Sequence, residues 1–180
     1  MSTLHLVPIY CGTHAEMIPR LAGVLEQTFH LTVERHPPAF DPELAFDASR
    51  GQYNSRLLLT ELVKQAPDNG GRILGVTSVD LFIPVLTFVF GEAQLNGPAA
   101  VVSTHRLAAE VYGLSEQPEL LFDRLCKEAV HELGHTYQLV HCPDDYCVMR
   151  SSQYVENIDL KSAGFCHECR ASVHPSGARR

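Results

Sequence analysis

The chain lacks an excess of positive charge, an apolar run long enough to cross a bilayer, and a basic leader, and each absence removes a class of function. Its 14 Lys and Arg stand against 21 Asp and Glu, for a formal charge of −7 and a pI near 5.8. Nucleic acids and anionic membranes favour basic patches, so neither is expected as a partner. The most apolar stretch, Leu81 to Phe90, is interrupted by Pro84 and falls far short of the roughly 20 residues that a spanning helix requires. The segment Met1 to Tyr10 has no basic n-region and is broken by Pro8, so it reads as a first strand, not a signal peptide. A cytoplasmic location is the resulting expectation. Six cysteines without a leader argue against a disulfide framework, because reducing compartments keep thiols free. Cys11 and Cys126 stand alone and read as small buried hydrophobes. Cys142, Cys147, Cys166 and Cys169 crowd into the last quarter.

What is present begins with enough chain, 180 residues at 45% hydrophobic, for one sizeable core and a small appended lobe. The first half alternates between strand and helix patterns. A strand is expected at Leu4 to Tyr10. Thr13 to Glu16 has capping-box spacing ahead of an apolar stripe at Met17, Leu21, Leu25 and Phe29, and a second strand is expected at Leu31 to Arg35. After a loop at His36 to Pro42, a helix resumes near Asn54 with Leu58 and Leu62 on one face and ends at Pro67 to Gly71. Further strands are expected at Arg72 to Leu81, Thr87 to Ala93 and Ala99 to Ser103. The Gln94 to Pro98 link between the last two has hairpin character, which implies an antiparallel pair within a mixed sheet. The fold class is therefore α/β (α+β).

Ser115 to Glu119 carries helix-start chemistry, and a long helix over about 118–140 follows. Leu121, Leu125, Ala129 and Leu133 fall on its core stripe, while Arg124, Glu128, His131 and His135 lie on another face, turned from the deepest core. His131-Glu-Leu-Gly-His135 on this helix fits H-E-x-x-H: the i, i+4 spacing aims two imidazoles at one metal ion and leaves Glu132 beside the open position. With ten His and thirteen Glu, chance would give roughly 0.04 such matches, and a third histidine at His141 cuts that by about 1/18. Three neutral imidazoles leave a zinc ion its full +2 charge, which acidifies a bound water, and Glu132 is placed to act as general base and acid.

Downstream, the spacing His141-Cys142-x4-Cys147-x-Met149 followed by Cys166-x2-Cys169 resembles the archaemetzincins, a branch of the metzincin metallopeptidases. Arg50-Gly-Gln-Tyr-Asn-Ser55, Leu74-Gly-Val-Thr-Ser-Val-Asp80 and Phe88-Val-Phe-Gly-Glu92 are also similar to that family. The resemblance implies a metzincin-like twisted sheet with packed helices and a zinc-dependent peptidase. It further implies a second, structural zinc on Cys142, Cys147, Cys166 and Cys169, for two zinc ions per chain, and a Met-turn at Met149 beneath the catalytic site. Four thiolates in two close pairs suit a closed tetrahedral site able to order a lobe poor in apolar residues; His167 is a spare ligand. Adjacent His141 and Cys142 would each serve one metal. Two departures from the family pattern are Gln138 in place of a glycine three residues after His135 and a Met149 to Cys166 spacing one residue shorter. A non-glycine residue in a left-handed turn costs about 1–2 kcal/mol.

These readings give one catalytic domain over 1–174, comprising a sheet-and-helix part (1–140) and a Cys-zinc lobe (141–174), with a flexible tail at 175–180. In a metzincin-like cleft, an extended peptide or a segment of unfolded protein would add to the edge strand at Thr87 to Ala93, with Tyr146 or Tyr154 as candidate oxyanion donors. The rivals are an inactive zinc-stabilised peptide-binding module and a non-peptide zinc amidohydrolase.

Overall fold

The computed structural model describes residues 3–174; the expected tail at 175–180 lies outside the described residues. Strand β1 (Thr3–Pro8) buries Leu4 and Leu6 on one face. Helix α1 (Ile18–Phe29) buries Leu21, Leu25 and Phe29, the expected stripe. The capping box at Thr13 to Glu16 does not form. That segment is a single 3-10 run, Gly12–Met17, and α1 starts with Pro19 in its first turn, where the missing N–H has no partner to lose. Strand β2 (Thr32–Arg35) then runs parallel to β1.

A short hairpin of β3 (Phe46–Asp47) and β4 (Gln52–Asn54) leads into α2 (Ser55–Lys64), whose N-cap is Asn54, its side chain accepting from the Arg56 N–H at 3.1 Å. Strand β5 (Arg72–Thr77) is shorter than expected. The Tyr10 carbonyl accepts from the Ser78 N–H at 2.8 Å, and the chain leaves the sheet, so that Leu81–Phe82 becomes a separate strand, β6, paired with β4. The expected strand Thr87 to Ala93 is extended only as β7 (Gly91–Ala93). Upstream, the carbonyls of Leu86 and Thr87 are taken by side chains of Arg50 and Gln52, and Val89 makes one isolated bridge to Leu81. Strand β8 (Ala99–Ser103) is buried at every position, as a strand covered on both faces must be.

The main sheet has the order β2-β1-β5-β8-β7, with β7 antiparallel at one edge. Its faces carry two apolar clusters: one under α1 and α3 (Pro118–Thr136), the other under α2. The histidine face of the long helix α3, the one turned from the deepest core, is itself covered. Arg124, Glu128, His131 and Glu132 are all buried, because the segment after residue 140 folds back over them. Within it, α4 (Val155–Leu160) brings Asp159 to Arg124 in a two-pronged contact at 2.7 Å for each prong. Lys161 Nζ lies 2.8 Å from Glu128 Oε1, with the two side chains 0% and 4% exposed. That contact is coulombic, since Glu128 Oε1 is outside hydrogen-bond geometry, and Lys161 donates instead to the Arg150 carbonyl at 3.2 Å.

The lobe also has more of an apolar core than its composition suggests. Val148, Met149, Val155, Ile158 and Phe165, together with Val173 of α5 (His167–Val173), are buried within the same apolar cluster as α3. Breaking one side of a buried ion pair strands the other charge, at a cost of about 3–5 kcal/mol. Lys161→Ala is therefore expected to lower unfolding stability by about that amount, read from the midpoint of chemical denaturation at constant slope. A loss within error of an exposed lysine control would show that Glu128 is otherwise satisfied.

Candidate active site

The pitch of α3 sets His131 and His135 one turn apart on the same side. Each ring is oriented by a backbone carbonyl: His131 Nδ1 lies 2.8 Å from the Val148 oxygen, and His135 Nδ1 lies 2.7 Å from the Leu139 oxygen. A carbonyl only accepts, so Nδ1 carries the proton in both rings and Nε2 is left as a bare lone pair. The two Nε2 atoms face each other at 3.2 Å. His141 completes the group, its ring centroid 5.3 Å from that of His131 and 5.1 Å from that of His135.

Burial, first among the causes, lowers the pKa of all three histidines, most strongly for His131, and the Lys161 charge pushes in the same direction. The rings are thus neutral, and facing lone pairs repel unless a cation lies between them. Nitrogens around a tetrahedral zinc at about 2.0–2.1 Å are separated by about 3.4 Å, and the three donor atoms here all fall within 4.8 Å of one another. The donor set fits one borderline divalent ion.

The third histidine arrives through the way α3 ends. Gln138 has φ +68°, the Leu139 N–H donates to the Gly134 carbonyl at 3.2 Å, and the Gln138 N–H donates to the His135 carbonyl at 3.0 Å. This is a Schellman turn with glutamine at the left-handed position. The turn reverses the chain, and the next two side chains diverge: His141 joins the histidines while Cys142 joins Cys147, Cys166 and Cys169. Those four sulfurs also lie within 4.8 Å of one another, and Cys142 and Cys166 are 3.9 Å apart, close to the spacing of about 3.8 Å for tetrahedral Zn–S bonds of 2.3 Å. The Cys166 N–H donates to the Cys147 sulfur at 3.3 Å. Burial pushes the Cys147 and Cys169 thiols up, which disfavours their thiolate forms unless a cation stands close by. His167 is exposed and outside the group.

Glu132 is 6% exposed and packs against the start of β7. A Cβ at Gly91 would stand 2.7 Å from Glu132 Cγ and 2.8 Å from its Oε1, so only glycine lets the carboxyl lie against that strand. Burial raises the pKa of Glu132 well above the usual range, Glu128 and Glu92 add to this, and Lys161 opposes it. Met149, fully buried, supports the turn of α3 that carries His135: a Cβ at Gly134 would collide with its sulfur and approach its Cε to 3.1 Å.

The three histidines and Glu132 line a cleft of 860 Å³, with β7 along one wall and Ser151 to Tyr154 along another. Of the two tyrosines singled out from sequence, Tyr154 borders this cleft and Tyr146 does not. The rim at Leu86 and Thr87 is held by Arg50 and Gln52, and Gln52 also bonds Asp80, which in turn is gripped by Arg106. Lys161 and Glu128, buried beside the histidines, carry no motif that sequence reasoning can use; only the fold brings them together.

Residues 41–174 match peptidase family M54. The chain is 42% identical over 136 residues to an archaemetzincin of Methanocaldococcus jannaschii, covering 76% of this chain and 74% of that protein. Its fold is similar to a crystal structure of archaemetzincin from Methanopyrus kandleri, with a TM-score of 0.84, 37% identity, and 97% and 94% of the two chains covered. It is also similar to a zinc-dependent peptidase from Methanocorpusculum labreanum, with a TM-score of 0.86, 30% identity, and 95% and 100% covered.

The observed turn makes a direct prediction. Gln138→Gly relieves a left-handed conformation that costs about 1 kcal/mol for a residue with a Cβ, so the melting temperature should rise by about 2–4 °C. A fall would mean that the glutamine side chain contributes more than its backbone costs.

Proposed function

The chain belongs to peptidase family M54, the archaemetzincins, and is a zinc metallopeptidase; from that premise we propose that His131, His135 and His141 hold the catalytic zinc and that Glu132 is the general base. The observation that carries this reading is the pair of bare Nε2 atoms facing each other at 3.2 Å beside a buried carboxyl. Cys142, Cys147, Cys166 and Cys169 hold a second, structural zinc, giving two ions per chain, and Met149 is the Met-turn residue beneath the histidines. Residues 1–174 act as one catalytic domain, with the sheet-and-helix part over 1–140 and the Cys-zinc lobe over 141–174.

When bound, the catalytic zinc supplies Lewis acidity, lowering the pKa of water toward neutrality and polarising a carbonyl. The protein's own groups do the rest. The free edge of β7 offers backbone N–H and C=O groups to an extended peptide, which suits peptides or partly unfolded protein as substrates. Because Glu132 packs on Gly91, the first residue of that edge, the carboxylate is held next to the backbone it serves. A cation on the histidines would offset the burial that favours its protonated form, so that Glu132 could take a proton from the attacking water and return it to the departing amine nitrogen. The Val148 and Leu139 carbonyls keep both helix histidines in the tautomer that presents Nε2. Of the two candidate phenols, the position of Tyr154 on the cleft wall supports it over Tyr146 as the donor to a developing oxyanion. No described helix is long and apolar enough to cross a membrane. Six free thiols, four of them in a metal-fitting group, support a reducing, cytoplasmic setting.

Glu132→Ala is expected to cut kcat/KM on a broad peptide library by about 10²- to 10⁴-fold while leaving the zinc content intact. Activity equal to wild type would remove Glu132 from this role, and turnover of acylated small molecules alone would favour an amidohydrolase. Cys166→Ser with Cys169→Ser should lower the melting temperature well beyond any change in Glu132→Ala. Matching melting curves would reject the structural zinc.

A further inference from the structure

At the other edge of the main sheet from β7, the chain gathers a third set of metal-ligating side chains. Strands β1 and β2 are parallel, with His5 directly opposite Glu34. Residues two apart on a strand share a face, so His36 falls beside Glu34, and the bond from its N–H to the Leu6 carbonyl at 3.0 Å fixes it there. The placement is therefore set by the backbone register and does not depend on flexible side chains alone. His5 Nε2 lies 3.5 Å from Glu34 Oε2, His36 Nε2 lies 3.9 Å from the same oxygen, and the two rings are tilted with centroids 4.3 Å apart.

All three donor atoms are within 4.8 Å of one another. Ligands of a tetrahedral ion at about 2.0–2.1 Å stand about 3.4 Å apart, so modest side-chain adjustment closes this set on one ion. A second observation points the same way. His36 Nε2 is shielded from solvent and has no hydrogen-bond partner, a cost that a bound cation would remove. His5 and His36 border a cleft of 400 Å³ walled by Pro37, Pro38 and Gln65, open space beside the two imidazoles.

We propose that His5, Glu34 and His36 form a three-ligand site for a borderline divalent transition-metal ion such as Zn²⁺ or Cu²⁺, separate from the catalytic cleft. Two imidazoles with a single carboxylate suit such ions and not Ca²⁺ or Mg²⁺, which require several oxygens. Ion binding ties edge strand β2 to β1, and because the geometry exists only in the folded chain it stabilises that chain. The inference is independent of the catalytic reading, since none of the three residues lines that cleft.

The test compares wild type, Glu34→Gln and the double variant His5→Asn, His36→Gln, each first loaded with two equivalents of zinc and then titrated with further Zn²⁺ by calorimetry. Wild type should bind one more equivalent than the double variant, and Glu34→Gln should bind that equivalent at least tenfold more weakly. Cu²⁺ added to wild type should give an electron paramagnetic resonance spectrum with nitrogen coupling that the double variant lacks. Should the double variant fold poorly, Glu34→Gln still decides the matter, because that carboxylate is 56% exposed and its amide is isosteric. Equal stoichiometry and affinity in wild type and Glu34→Gln would overturn the proposal.

Discussion

The bond from the Leu139 N–H to the Gly134 carbonyl, closed across a left-handed Gln138, reverses the chain at the end of α3, and the arrangement of the cleft follows from that reversal. It sends residue 141 back toward two histidines that the helix has already aligned, and it sets residue 142 among the thiols. The Leu139 carbonyl, presented by the same turn, orients His135. Gly134 serves twice: its oxygen closes the turn, and its missing side chain admits Met149 beneath it. A helix one turn longer would carry the same five-residue motif and leave it without its third histidine.

Around this turn the protein buries charge to an extent unusual for a small chain. Arg124, Lys127, Glu128, Glu132 and Lys161 are all nearly inaccessible. Burying a charge is expensive unless it is matched, and here the matches run between α3 and the segment after it, through Arg124 with Asp159 and Lys161 with Glu128. These pairs fix how the lobe lies over the helix, since a shift of the lobe would part an ion pair in a poorly solvated site. The apolar side chains of Val148, Ile158 and Phe165 hold the same interface by burial.

Legibility from sequence followed the length scale of the interactions. The stripe of α1 and the helix start near Asn54 are local patterns, and each appears in the fold where its period put it; the His and Cys spacings likewise bring their side chains into two close groups. The left-handed Gln138 was also readable, because helix-ending chemistry is confined to a few residues. Strand lengths were not. Residues 78–80 and 87–90 fall within the expected strands, yet backbone groups there are claimed by Tyr10, Arg50 and Gln52, which are remote in sequence. The same holds for Lys161, whose neighbours in the chain gave no hint that it would stand fully buried against α3. The burial of the histidine face of α3, a face turned from the deepest core, was not legible for a related reason: its polar pattern is matched by a later segment instead of by water.

The carbonyl that orients His131 belongs to Val148, between a cysteine of the thiol group and the methionine beneath the helix. The helix thus carries a histidine whose tautomer is chosen by a part of the chain that is synthesised after it. Transplanted onto another scaffold, residues 131–135 would keep their spelling and lose that choice. In this fold the five-residue motif is a fragment of a site and not a portable module, and grafting its chemistry elsewhere would require carrying the chain through Met149 at the least.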